Sequence, residues 1–120
     1  MSSYKEREES KIQTDIIKLI NCNSGYVYKN AQNLYTEKGR PDLTACIPAT
    51  IKNLIKVYGE DATIGLFIGI EVKATGCLNE VSEAQHIVGR KIIKANGLWL
   101  ATDNIETINK LIINFKGGNS

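Results

Sequence analysis

Three ionisable residues stand where a packed fold has little use for them. Glu71 and Lys73 close the most apolar stretch of the chain, Gly65-Leu66-Phe67-Ile68-Gly69-Ile70-Glu71-Val72-Lys73. Alternate side chains of a β-strand share a face, so Glu71 and Lys73 point the same way, about 6.5 Å apart at Cα, and Val72 points the other way. Desolvating both charges is costly unless they have partners. Asp42, behind a proline in Gly39-Arg40-Pro41-Asp42, supplies the third charge. Asp42 and Glu71 are hard oxygen ligands of the kind Mg²⁺ or Mn²⁺ takes while keeping several waters. Such a metal acidifies a bound water and neutralises charge building on a phosphoryl group under attack. Lys73 would orient or deprotonate that water, or stabilise the negative charge. The competing explanation is an ordinary ion pair at an exposed strand end, and Gly39-Arg40-Pro41-Asp42 upstream weighs against it.

The elements that must position these residues are legible from periodicity. Ile12, Ile16, Leu19 and Ile20 recur at helical spacing, which predicts a first helix over Glu8 to Ile20, with residues 1–8 frayed. Asn21-Cys22-Asn23-Ser24-Gly25 breaks it, and Gly25 to Asn30 has the composition of a short strand. Gln32 to Arg40 reads as loop, and Leu43 to Ile47 as a strand stopped by Pro48. Residues 49–63 allow two readings: Ile51, Leu54, Ile55 and Tyr58 fit a helix, while Lys56-Val57-Tyr58-Gly59 fits a hairpin arm. Ile64 to Lys73 is expected to be the central strand, followed by a turn at Ala74-Thr75-Gly76. Ser82-x-x-Gln85 has the form of a capping box opening a helix to Ala95, with Ala84, Ile87, Val88, Ile92 and Ala95 inward. Asn96-Gly97 suits a left-handed cap, and Leu98 to Thr102 a strand. Asp103 to Glu106 reads as a second capping box before a last helix whose apolar face carries Ile105, Ile108, Leu111 and Ile112. The order α-β-β-β-α-β-α points to the α/β class, a central mixed β-sheet flanked by helices.

Composition narrows the function classes. The chain of 120 residues is 42% hydrophobic and 23% charged with a net charge of +2, which fits one globular domain over 1–120, with flexible ends at about 1–8 and 117–120. That charge permits nucleic-acid binding without arguing for it. Cys22, Cys46, Cys77 and the single His86 form no ligand pattern, so a structural zinc site is not expected. Neither a signal peptide nor a membrane span is readable, and the expectation is a cytoplasmic protein with reduced thiols in or near its core.

Gly39-Arg40-Pro41-Asp42 followed by Glu71-Val72-Lys73 resembles the bipartite signature of the PD-(D/E)xK nuclease superfamily. Glu9 and Gln13 together on the first helix, Ser82-x-x-Gln85 after the strand, and Asn96-Gly97 before the next strand look like its VRR-NUC branch, the virus-type replication-repair nucleases. The resemblance runs from about Glu9 to Leu111, and its main departure is the long 49–63 segment. It implies a restriction-endonuclease-like core. It also implies a Mg²⁺ or Mn²⁺ held by Asp42, Glu71 and the backbone carbonyl of Val72, with Glu9 reaching the metal through water. Gln85 would stand beside the site, its amide on the attacking water or a phosphate. The capping box offers the same side chain a purely structural role, and the two roles are expected to exclude each other. Glu9, likewise, also suits a solvated helix start.

The implied activity is metal-dependent endonuclease cleavage of DNA, leaving a 5′-phosphate and a 3′-hydroxyl. Compact members resemble Holliday-junction resolvases, which favours branched DNA and a homodimer whose two-fold axis matches a four-way junction. A sequence- or mismatch-specific endonuclease and a non-catalytic DNA-binding module are the alternatives. Arg40 is the first candidate for phosphate contact, with Lys38 and Lys29 near it; Arg90, Lys91 and Lys94 form a basic run that suits a DNA backbone or a solvated helix face. Tyr26, Tyr28 and Tyr35 suit core or rim packing, and His86 has no part in the metal-and-lysine chemistry.

Overall fold

The strands form two ladders rather than one sheet. The computed structural model describes residues 3–35 and 38–117. Helix α1 spans Tyr4–Cys22, strands β1 and β2 span Tyr26–Lys29 and Leu43–Cys46, and helix α2 spans Ile51–Tyr58. Strand β3 follows at Ile68–Val72, then a 3₁₀ turn at Leu78–Glu80, helix α3 at Glu83–Lys94, strand β4 at Leu98–Thr102 and helix α4 at Ile105–Lys116. β1 pairs antiparallel with β2, Tyr26 opposite Cys46 and Lys29 opposite Leu43. β3 pairs parallel with β4, Ile68 opposite Leu98 and Val72 opposite Thr102, with α3 as the crossover that parallel pairing requires. The mixed α/β class is thus as expected, but the single mixed sheet is not: each ladder has two strands, and β2 and β3 are not paired.

The ladders meet at one end. The Tyr26 ring lies edge-on to Phe67, centroids 6.3 Å apart, and Cys46 Sγ reaches the Ala95 carbonyl at 3.5 Å. Around that junction sits the small core of Cys46, Ile92 and Ala95, with Thr102 buried further along β4. α3 can lie against β4 because residue 89 is glycine; a Cβ there would fall 2.6 Å from the Trp99 indole. The chain is open for its length. Its radius of gyration is 17.7 Å, where a compact domain of this size has about 14 Å.

Local chemistry explains where the elements depart from expectation. α1 begins at Tyr4, inside the stretch expected to fray, because Ser3 and Glu6 form a reciprocal capping box. Of its apolar stripe Ile20 is half-buried while Ile12, Ile16 and Leu19 are exposed. Residues 51–58 resolve as a helix, with the Thr50 side chain accepting from the Asn53 N–H. β3 is shorter than expected because β4 offers partners only from Leu98; the Phe67 carbonyl still accepts from the Leu98 N–H, and residues 64–66 lie outside the ladder. Nor is β3 buried on both faces, since Ile70 and Val72 are exposed. In α3 it is Gly89, Ile92 and the cap residue Ala95 that pack, while Ala84, Ile87 and Val88 face solvent. Asn96 takes the left-handed conformation, φ 69°, ahead of Gly97. The second capping box does not form: Asn104 caps α4 by accepting from the Glu106 N–H, and Asp103 is used elsewhere. On α4 Ile108 and Leu111 are half-buried, but Ile105 and Ile112 are exposed. Of the thiols, Cys46 is buried, Cys77 half-buried and Cys22 exposed rather than packed. Residues 118–120, expected to be tail, lie outside the described residues. Among the described residues no helix is long and apolar enough to cross a membrane.

Candidate active site

Glu71 and Lys73 leave β3 on one face, as strand alternation requires. Their side chains are only 28% and 19% exposed, and Lys73 Nζ lies 3.7 Å from Glu71 Oε1. That separation is an ion pair but too long for a good hydrogen bond. The hydrogen bond to Glu71 comes from Gln85, whose Nε2 donates to the same Oε1 at 2.8 Å. Glu71 stands opposite the small Ala101 of β4. The ladder runs one residue past β3, with the Lys73 N–H donating to the Thr102 carbonyl at 3.0 Å, so the backbone beneath the lysine is fixed.

Gln85 caps α3 with one end of its amide and binds Glu71 with the other. Ser82 Oγ accepts from the Gln85 N–H, and the Ser82 N–H donates to Gln85 Oε1 at 2.9 Å. A backbone N–H can only donate, so Oε1 must face it and Nε2 must face away, toward Glu71. The cap therefore fixes the amide as a donor to the carboxylate. Both ends of the amide are thus engaged, one by the Ser82 N–H and the other by Glu71.

The loop after Lys73 is tied from the far side. The Asp103 carboxylate accepts from the Gly76 N–H at 2.8 Å, at a residue with φ +81°. Thr102 Oγ1 bonds the backbone of Asn104, bracing the turn that carries Asp103. These positioning residues escaped the sequence reading because Asp103 sits where a helix cap is expected.

Asp42 belongs to the other ladder. Its carbonyl accepts from the Asn30 N–H at 3.0 Å, and Asn30 Nδ2 donates to both the Pro41 carbonyl and Thr44 Oγ1 at 2.8 Å. The start of β2 is thereby pinned to the end of β1. Asp42 itself is exposed and lines a groove with Glu9, Gln13, Ile12, Ile16 and Leu43. Glu9, expected to reach the metal through water, thus shares a groove with Asp42. Glu71 does not line that groove, and among the described residues no three Asp, Glu, His or Cys side chains gather closely enough to hold a metal. As placed, the donors form two half-sites, Glu9 and Asp42 in one, Glu71 with the Val72 backbone in the other. They do not by themselves fit one metal centre.

The basic candidates are dispersed. Lys38 and Arg40 are exposed in the loop before Asp42, and the Arg40 carbonyl accepts from Gln32 Nε2 at 3.4 Å. Arg90 is engaged with Glu83 at 3.0 Å on its own helix. Lys94 stands at the other end of α3 from Gln85. Tyr26 and Tyr28 pack ring to ring at 5.9 Å, whereas Tyr35 is exposed. His86 rests 5.6 Å from the Trp99 ring, a packing contact. Comparison with protein-family models, with curated proteins and with solved structures found no match.

Proposed function

We propose that this chain hydrolyses phosphodiester bonds in DNA as a Mg²⁺- or Mn²⁺-dependent endonuclease. The observation that carries the reading is the part-buried cluster at the end of β3, a carboxylate held by an amide donor with an ammonium beside it. A strand end has no structural need for this arrangement, and desolvating the two charges is costly. As placed the two half-sites do not hold a metal together. Were they brought together, Glu9, Asp42, Glu71 and the Val72 carbonyl would be its donors, and the metal would supply a nucleophilic water and charge neutralisation. Lys73 stabilises negative charge on the phosphate under attack. Gln85, its amide committed to Glu71, is a positioning residue rather than a contact for water or phosphate. Arg40 and Lys38 reach the backbone of the substrate from the loop before Asp42.

A restriction-endonuclease-like core is part of the same proposal. β2 and β3 each have an unpaired edge, and the end of β2 lies near the start of β3 at the Tyr26–Phe67 and Cys46–Ala95 contacts. Pairing those edges antiparallel would give the order β1-β2-β3-β4 and bring Asp42, at the start of β2, toward Glu71, at the end of β3. Branched DNA is the favoured substrate and a homodimer the favoured assembly, on the two-fold symmetry of a four-way junction.

The test is a cleavage panel of plain duplex, mismatched duplex, flap and four-way junction with Mg²⁺ or Mn²⁺. Junction cleavage is expected to fall by orders of magnitude in Asp42→Ala, Glu71→Gln and Lys73→Ala, with folding intact by circular dichroism. Unchanged cleavage in Glu71→Gln would overturn the assignment, and equal cutting of plain duplex would remove the preference for junctions. The separation of the two half-sites favours a second reading, a non-catalytic DNA-binding module. Calorimetric metal titration of wild type and Asp42→Ala separates the two, since wild type that binds no metal leaves only the second.

A further inference from the structure

Between the end of α1 and the last turns of α3 lies a groove of about 420 Å³, lined by Asn21, Ser24, Tyr26, Lys91 and Lys94 among others. Among the described residues neither lysine has an ion pair, in contrast to Arg90 with Glu83. Asn21 and Ser24, both exposed, also donate from their side chains to no other described residue. Lysines in a last turn suit the negative end of a helix, which accounts for their charge. The same groove also presents the Asn21 amide and the Ser24 hydroxyl, neutral donors beside the two charges. Ser24 is held in the left-handed conformation, φ 64°, in the turn between α1 and β1.

From this convergence of unspent donors we infer a phosphate-binding groove for the backbone of a nucleic acid, separate from the proposed site of hydrolysis. The inference rests on the DNA reading above and adds a second point of grip. Lys94 lies about 13 Å along the helix axis from Gln85, and about half a turn round it. The phosphate held here is therefore not the one under attack. Lys91 and Lys94 supply charge, and Asn21 and Ser24 supply neutral hydrogen bonds that fix position without sequence preference.

The experiment measures binding of a labelled DNA duplex by fluorescence anisotropy across a salt series, in EDTA so that nothing is cut. Lys91→Ala with Lys94→Ala is expected to lower the slope of log affinity against log salt by about 1.8, narrowing the loss between about 50 and 200 mM salt by about 12-fold. Arginine at both positions restores the slope. Asn21→Ala with Ser24→Gly is expected to weaken binding at every salt with the slope unchanged, because neutral contacts release no counterions. Glycine is chosen at position 24 because it accepts the left-handed backbone without strain. An unchanged slope in the lysine pair overturns the groove, as does wild-type binding by the Asn21/Ser24 pair, which would leave only diffuse surface charge. Mg²⁺-dependent cleavage is scored in parallel. Wild type that cuts DNA while the slopes stay fixed sinks the groove alone; slopes that shift in a protein that never cuts sink the hydrolase reading alone.

Discussion

Gln85→Glu separates the structural and functional ends of one side chain. Glutamate keeps an oxygen for the Ser82 N–H, so the capping box survives. At the other end it replaces the donor now 2.8 Å from Glu71 Oε1 with a second carboxylate. Two such charges relaxed to about 4 Å repel by about 1 kcal/mol in bulk water and about 4 kcal/mol near a protein surface. With the Glu71 side chain 28% exposed, and with a hydrogen bond to a charged group lost as well, the deficit at neutral pH is about 2–4 kcal/mol. Its sign with pH is diagnostic. The folded variant binds a proton between the two carboxylates more tightly than the unfolded chain does, so its stability falls as pH rises. Near about pH 4 one carboxylate is protonated and can donate to the other, which brings the variant back toward wild type. Gln85→Ala loses the cap bond and the Glu71 bond together, without the repulsion and without that pH dependence. Urea unfolding followed by circular dichroism at several pH values reads both variants. A Gln85→Glu protein as stable as wild type at pH 8, or a deficit that is flat with pH, would refute the Gln85–Glu71 contact.

Other expectations follow from packing and burial. Gly89→Ala forces a methyl against the Trp99 indole and should cost about 1–3 kcal/mol; thermal unfolding with Trp99 emission checks it, and unchanged values would mean that α3 does not rest on that ring. Thiol labelling read by mass spectrometry should modify exposed Cys22 first and buried Cys46 last, burial having pushed the Cys46 thiol up. Early loss of Cys46 would show the core junction open. The Tyr26 phenol, raised by burial and then by Tyr28, stays protonated in the fold after it would ionise unfolded. Stability is therefore lost as pH rises from about 10 through the folded value. Tyr26→Phe should remove that alkaline loss, and an alkaline loss equal to that of wild type would contradict it.

The sequence disclosed elements whose signals are local. Ser82-x-x-Gln85 and the 3.6-residue spacing beyond it are complete within a few residues, and α3 forms where they say. The apolar run before Glu71 could not disclose where β3 begins, because that depends on how much of Leu98–Thr102 is there to pair with it. Ile87 and Val88 carry the period of a buried face, yet the face that packs is the one where Gly89 admits Trp99. A glycine has no hydropathy signal for such a contact. In the candidate site, strand alternation sufficed to put Glu71 and Lys73 together. Helix spacing likewise put Glu9 and Gln13 on one face of α1, and both line the groove that holds Asp42. The Asp103–Gly76 tie was hidden, since an acid before a helix reads as a cap.

The two ladders also bear on how the chain acquires its shape. Each completes its hydrogen bonds within a short span, Tyr26 to Cys46 for one and Ile68 to Thr102 for the other. Short loops close quickly, so neither ladder must wait for the other. Hydrogen exchange should then protect them as separate cooperative blocks, with the β3–β4 block, which carries the buried Ile92 and Thr102, opening last. The acids of the proposed site are divided between those blocks, so exchange should protect the Asp42 and Glu71 strands separately.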